Sequence, residues 1–136
     1  MSKGNTAEND VLKALLGGVD PGYRANANRF LSLHTADPGE AGTQLTSETA
    51  YTGYARVAIA TGAWTDGGST FSNTNLLQFG QCTAAPGAAI THVAIGTVTT
   101  GGAGEILYSG ALNASLAIAV LIQPQFAAFA LTVSED

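Results

Sequence analysis

The chain has 136 residues, 46% of them hydrophobic and only 11% charged, with ten acidic against five basic side chains and a formal net charge of −5. That length suits one domain, and without a basic run the chain lacks the positive footprint that a nucleic acid or an anionic membrane surface requires. So little charge protects a monomer poorly against association, and part of the surface is expected to be covered by other chains.

The first predicted element is a helix over Thr6 to Leu16. Asn5 with Glu8 three residues on has the spacing of a capping box, Val11, Leu12, Leu15 and Leu16 form an apolar stripe, and Gly17-Gly18 supplies a stop. The stripe either packs across a sheet or reaches a neighbour. The segment from Met1 to Arg24 is therefore read as an N-terminal helical arm, and residues 25–136 as a single β-sandwich domain.

From Arg29 onward the period is two. Arg29 to His34 reads as a strand with Phe30 opposing Leu31 and Leu33, Ala55 to Thr61 as one with Val57 and Ile59 on a face, and Ile90 to Thr97 as one with Val93 and Ile95 on a face. Glu105 to Leu112 is a further strand, and Thr70 to Ser72 and Leu76 to Phe79 are shorter pieces. Between the first two strands, Ala36 to Gly53 lacks strand periodicity and is expected to be a surface loop carrying partner contacts.

No residue is charged from Ile106 to Ser134, which raises the question of a membrane span. Gln123-Pro124-Gln125 interrupts the stretch, and apolar residues alternate on both sides, at Leu116, Ile118, Val120 and Ile122 and again at Ala127, Phe129, Leu131 and Val133. This predicts two strands about a turn rather than one helix. Short strands separated by Asp37-Pro38-Gly39, Asp66-Gly67-Gly68, Ala85-Pro86-Gly87 and Gly101-Gly102 imply an all-β fold, a jelly roll or related antiparallel β-sandwich of seven or eight strands.

Chemistry is sparse. The single cysteine, Cys82, has no partner for an intramolecular disulfide, and the polar opening lacks a secretory h-region, so folding in a reducing cytoplasm is expected and the sequon at Asn113 idle. His34 and His92 come without HxH, HxxxH or CxxC spacing, so no metal or other cofactor is expected, and both are read as partly buried imidazoles. No Gly-x-Ser-x-Gly elbow accompanies them. Gly96 to Ala103 begins like a phosphate loop but lacks its Lys and its helix. The carboxylates fall at turns, and no enzyme is expected. Tyr51, Tyr54, Trp64, Phe71, Phe79, Phe126 and Phe129 are spread as a two-sheet core requires, with Tyr51 and Tyr54 also open to a sugar-binding role.

The string Phe30-Leu-Ser-Leu-His-Thr-Ala-Asp-Pro-Gly39, followed by Tyr54-Ala-Arg56, Trp64, Phe71-Ser-Asn73, Ile90-Thr-His-Val-Ala-Ile95 and Leu107-Tyr-Ser-Gly110, resembles a family of small virion proteins of tailed bacteriophages. The resemblance spans roughly Phe30 to Asp136. Members are often labelled tail-fibre proteins, and some are similar to jelly-roll capsid cement or decoration proteins. The resemblance implies a structural protein with no catalytic residues. Ala94-Ile-Gly-Thr97 stands where the family pattern has an acidic turn.

The expected function is that of a capsid cement protein, assembled in the host bacterial cytoplasm onto the capsid exterior and clamping major capsid protein subunits. The expected partners are that protein and further copies of this chain, as a dimer or trimer about a local symmetry axis, with neither nucleic acid nor membrane. The alternative is a tail-fibre or receptor-binding protein recognising a cell-surface ligand. Candidate interface residues are Val11, Leu12, Leu15, Leu16, Tyr23, Glu40, Glu48 and Tyr51.

Overall fold

A computed structural model describes residues 1–135. Strand β1 (Ser2–Lys3) leads into helix α1 (Asn5–Leu16), and a 3-10 turn (Gly22–Ala25) precedes β2 (Asn28–His34). There follow β3 (Val57–Ala60), β4 (Trp64–Asp66), β5 (Thr70–Asn73), β6 (Leu77–Gln78), β7 (Ile90–Gly96), β8 (Ile106–Leu116), β9 (Gln125–Phe126) and β10 (Thr132–Ser134). The fold is an all-β antiparallel sandwich with one short N-terminal helix.

One layer is a five-stranded sheet in the order β1-β8-β7-β2-β3, antiparallel throughout. Facing it are a three-stranded sheet, β10-β5-β4, and the pair β6-β9. The alternation of β2 and β7 drives this arrangement. Leu31 and Leu33 lie in register with Ile95 and Val93, and these four side chains join Ile59, Leu77, Phe79, Cys82, Ile118 and Leu131 in the core.

The opposite face of β2 is buried as well, and this departs from expectation. Ser32 and His34 are 0% exposed because the 36–53 segment lies across the sheet instead of standing away from it. Its Gln44, also fully buried, accepts a hydrogen bond from the Val98 N–H at 3.0 Å through Oε1, while its own N–H reaches the carbonyls of Ala103 and Gly104. Gly96 and Gly104 make room for that side chain, since a Cβ at either would collide with it.

The alternation at Leu116 to Ile122 does not make a strand. β8 runs on to Leu116, with a register shift between His92 and Ile90 that leaves Leu112 to Ser115 out of the ladder with β7. The chain then turns, with Leu121 at φ 75°, and two backbone bonds tie it to Cys82, from the Leu121 N–H to the Cys82 carbonyl and from the Cys82 N–H to the Ile122 carbonyl. Beyond the turn, Phe129 at φ 63° interrupts the second predicted strand, Ala127 to Val133, of which only the end is a strand, in β10, while β9 precedes it. Asn73 organises this region: its Nδ2 donates to the carbonyls of Asn75 and Ala127, and its Oδ1 accepts from the N–H of Leu131 at 2.8 Å. Phe71 and Phe129, expected in the core, are 45% and 57% exposed.

No helix is long and apolar enough to cross a membrane among the described residues.

Candidate functional site

Helix α1 begins where the sequence places it but not with the expected cap. Gly4 occupies the N-cap position with no side-chain capping bond, and the Asn5 N–H donates to the Glu40 carbonyl at 2.9 Å. Glycine is required at residue 4 because a Cβ there would run into the Ile106 carbonyl. The Gly4 N–H donates to the Leu107 carbonyl, and Ser2 and Lys3 pair with Ser109 and Tyr108 of β8. The start of the chain is thus part of the sheet, and a boundary at residue 24 would cut that strand away from its domain. At the other end Gly17 stops the helix with its N–H on the Lys13 carbonyl, and Gly18 follows at φ 64°. The helix is anchored to the sheet and the covering loop at its start, and its C-terminal end is closed by its own capping bond.

The helix turns its narrow, small-residue side to the domain. Ala7 is 3% exposed, and Asp10 and Ala14 on the same side are half-buried. The leucine stripe lies roughly a third of a turn round from that side at about 100° per residue. Val11, Leu12, Leu15 and Leu16 are 37%, 57%, 77% and 84% exposed and stand outside the core. Tyr23 is half-buried beside this stripe, lining with Val11, Ala14, Leu15 and Pro21 a shallow groove. Burial and the nearby carboxylates of Glu105 and Asp10 push its phenol up to about 12.

The other candidates divide. Glu40 is exposed at the helix base, where Oε1 accepts from the Ser2 hydroxyl. Glu48 and Tyr51 are not surface groups. Glu48 forms a two-pronged ion pair with the fully buried side chain of Arg56, at 2.7 Å on both prongs. Tyr51 is 3% exposed, packs edge-on to Tyr54 at 5.4 Å and donates its hydroxyl proton to the Gly80 carbonyl. Burial removes Tyr51 from any sugar-stacking platform, and Tyr54 is half-buried with its ring stacked on Phe79. Tyr54 is held by the Leu33 N–H and by Glu48.

Arg56 is the group that sequence reading passed over. Its five N–H donors are all used, two on Glu48 and three on the carbonyls of Val98, Thr99 and Gly102. The glycine-rich turn therefore turns carbonyl oxygens toward a cation, the opposite polarity from a phosphate cradle. The available signals were its position between a long loop and a strand and its place in the Tyr54-Ala-Arg56 string.

His34 lies under the covering loop. Its Nδ1 is 2.8 Å from the Thr46 carbonyl, which can only accept, so Nδ1 carries the proton and Nε2 accepts from the Ser32 hydroxyl at 2.8 Å. Burial holds its pKa below the ordinary histidine value. The unfolded chain then binds the extra proton first as pH falls, so the contribution of His34 is complete above about pH 6.5 and is lost as pH drops through its lowered native value. The urea midpoint is expected to fall between pH 7.5 and pH 5, and the part due to this residue to disappear in His34→Asn; an unchanged pH profile in that variant would refute the assignment. Asp37 instead accepts from the Gly39 N–H in its turn at 2.9 Å. No three His, Cys, Asp or Glu side chains converge among the described residues.

The surface thus offers an outward-turned leucine helix on a rigid sandwich, with the polar interior groups committed to one another. A family model described as podophage GP4 fiber I protein gp80 matches residues 2–134. The chain belongs to this family. The gp80 family is one of phage virion structural proteins rather than of enzymes, so the chain is a structural component of a bacteriophage virion. The family match covers α1 as well as the β-domain. No curated protein matches the sequence.

Proposed function

We propose that this gp80-family chain is a cement protein of the phage head, bound to the outer face of the assembled shell. Its partners in this reading are major capsid protein subunits and neighbouring copies of itself. The observation that carries the reading is the stripe of α1, whose Leu15 and Leu16 are 77% and 84% exposed on a helix anchored to the sheet at its start and packed on it through Ala7. An apolar stripe held outward is what an assembly contact needs. The action is mass action: a protein that binds only the assembled shell stabilises it, and many weak contacts per particle sum to a strong one.

The word fiber in the family description favours a second reading, a tail-fibre or receptor-binding protein that meets a cell-surface ligand. Copy number separates the two. Quantitative mass spectrometry of purified virions is expected to give this chain in numbers of the same order as the major capsid subunit. A handful of copies per particle would overturn the cement reading and leave the fibre reading.

A further inference from the structure

A second apolar surface lies next to the first. At the end of the sandwich where α1 departs, the two layers part and leave a cleft of about 230 Å³ lined by Arg29, Trp64, Phe71, Ile95, Leu107, Tyr108 and Val133. Phe71 is 45% exposed there, and the only charged residue lining the cleft is Arg29. Arg29 donates to the carbonyls of Asn26 and Asn28 and lies over the Tyr23 ring, 5.6 Å from its centroid. Unlike Lys3, Lys13, Arg24 and Arg56, it has no carboxylate partner among the described residues.

The helix carries the complement. Glu8, Val11, Leu12, Leu15 and Leu16 follow the i, i+3, i+4, i+7, i+8 spacing of one helix face, so an exposed carboxylate stands at the head of the leucine stripe. The stripe cannot turn into the cleft of its own chain. Lys3 pairs with Tyr108, the Gly4 N–H is bonded to Leu107, and Ala7 is buried, which fix the helix with its leucines facing away. We propose that the cleft receives the α1 stripe of a second copy, with Glu8 of one copy paired to Arg29 of the next. This rests on α1 being an assembly contact, as above, and names what it contacts. Helix and cleft share one end of the molecule, so two copies can exchange helices reciprocally about a two-fold axis.

The chain's one tryptophan, Trp64, lies in the cleft wall and reports directly on occupancy. Sedimentation velocity of the purified full chain is expected to show concentration-dependent self-association, with the Trp64 emission shifting to the red on dilution. Glu8→Arg and Arg29→Glu should each weaken association about tenfold, and the two together should restore it. Leu15→Asp, at an exposed position where the fold is unaffected, should abolish it. A chain that stays monomeric at every concentration, or a double charge reversal that recovers nothing, would overturn the proposal. Neither outcome touches the copy number in virions, so failure of this contact and failure of the cement reading are told apart.

Discussion

Arg56→Ala is expected to destabilise the protein by about 3–5 kcal/mol, the range for stranding one member of a buried ion pair. Against a total of roughly 5–15 kcal/mol for a domain, that loss approaches unfolding at ordinary temperatures. The figure follows from the site. The Arg56 side chain is fully buried and that of Glu48 is 10% exposed, so the carboxylate left behind keeps only the Tyr54 hydroxyl, at 2.7 Å, in compensation. Three carbonyls of the 98–102 turn also lose their donor. Arg56→Lys should recover little, because an ammonium has three donors and no planar fork where five are in use. Urea unfolding checks this: a midpoint lowered by less than about 0.5 M would show the pair to be dispensable.

Phe79→Ala is expected to cost a similar amount, about 3–5 kcal/mol, through lost burial and the cavity left behind. Phe79 is 1% exposed and sits mid-row, stacked on Tyr54 at 6.0 Å and edge-on to Phe126 at 6.5 Å. Small neighbours such as Gly80 and the loop backbone at Pro124, whose carbonyl accepts the Phe79 N–H, leave little that can collapse into the gap. Tyr54 touches both the aromatic row and Glu48, so the double variant with Arg56→Ala should lose less than the two single losses combined. Calorimetric melting of the four proteins measures this coupling, and strict additivity would argue that the row and the ion pair are independent.

The core strands were legible because β2 and β7 place apolar residues at every second position and those positions face one layer. The same rule misread Leu116 to Ile122. Alternation there reflects a crossing loop with one buried residue, Ile118, and period two alone does not distinguish it from a ladder. The covering loop was illegible for the converse reason. Gln44, Thr49 and Glu48 read as solvent-facing, and only tertiary partners such as the Val98 N–H and Arg56 explain their burial. In α1 the leucine stripe was plain, yet the pattern did not say which side would pack. The answer lies in Ala7 and Ala14, small enough for the helix to sit close while the leucines stay out. Nothing local marks Glu48 as half of an ion pair with a residue eight positions away, or Tyr51 as a core ring bonded to Gly80.

Anchoring the start of α1 to the sheet has a thermodynamic consequence. A helix of 12 residues is marginal alone, and a free arm of that length would have to fold as it bound, losing part of its affinity to ordering. Here the β1 pairing, the Asn5 bond to Glu40 and the Gly17 stop hold the helix formed beforehand. If α1 is the assembly contact proposed above, incorporation into a particle should add no helical signal and bring only the heat-capacity change of apolar burial, as expected of a rigid plug.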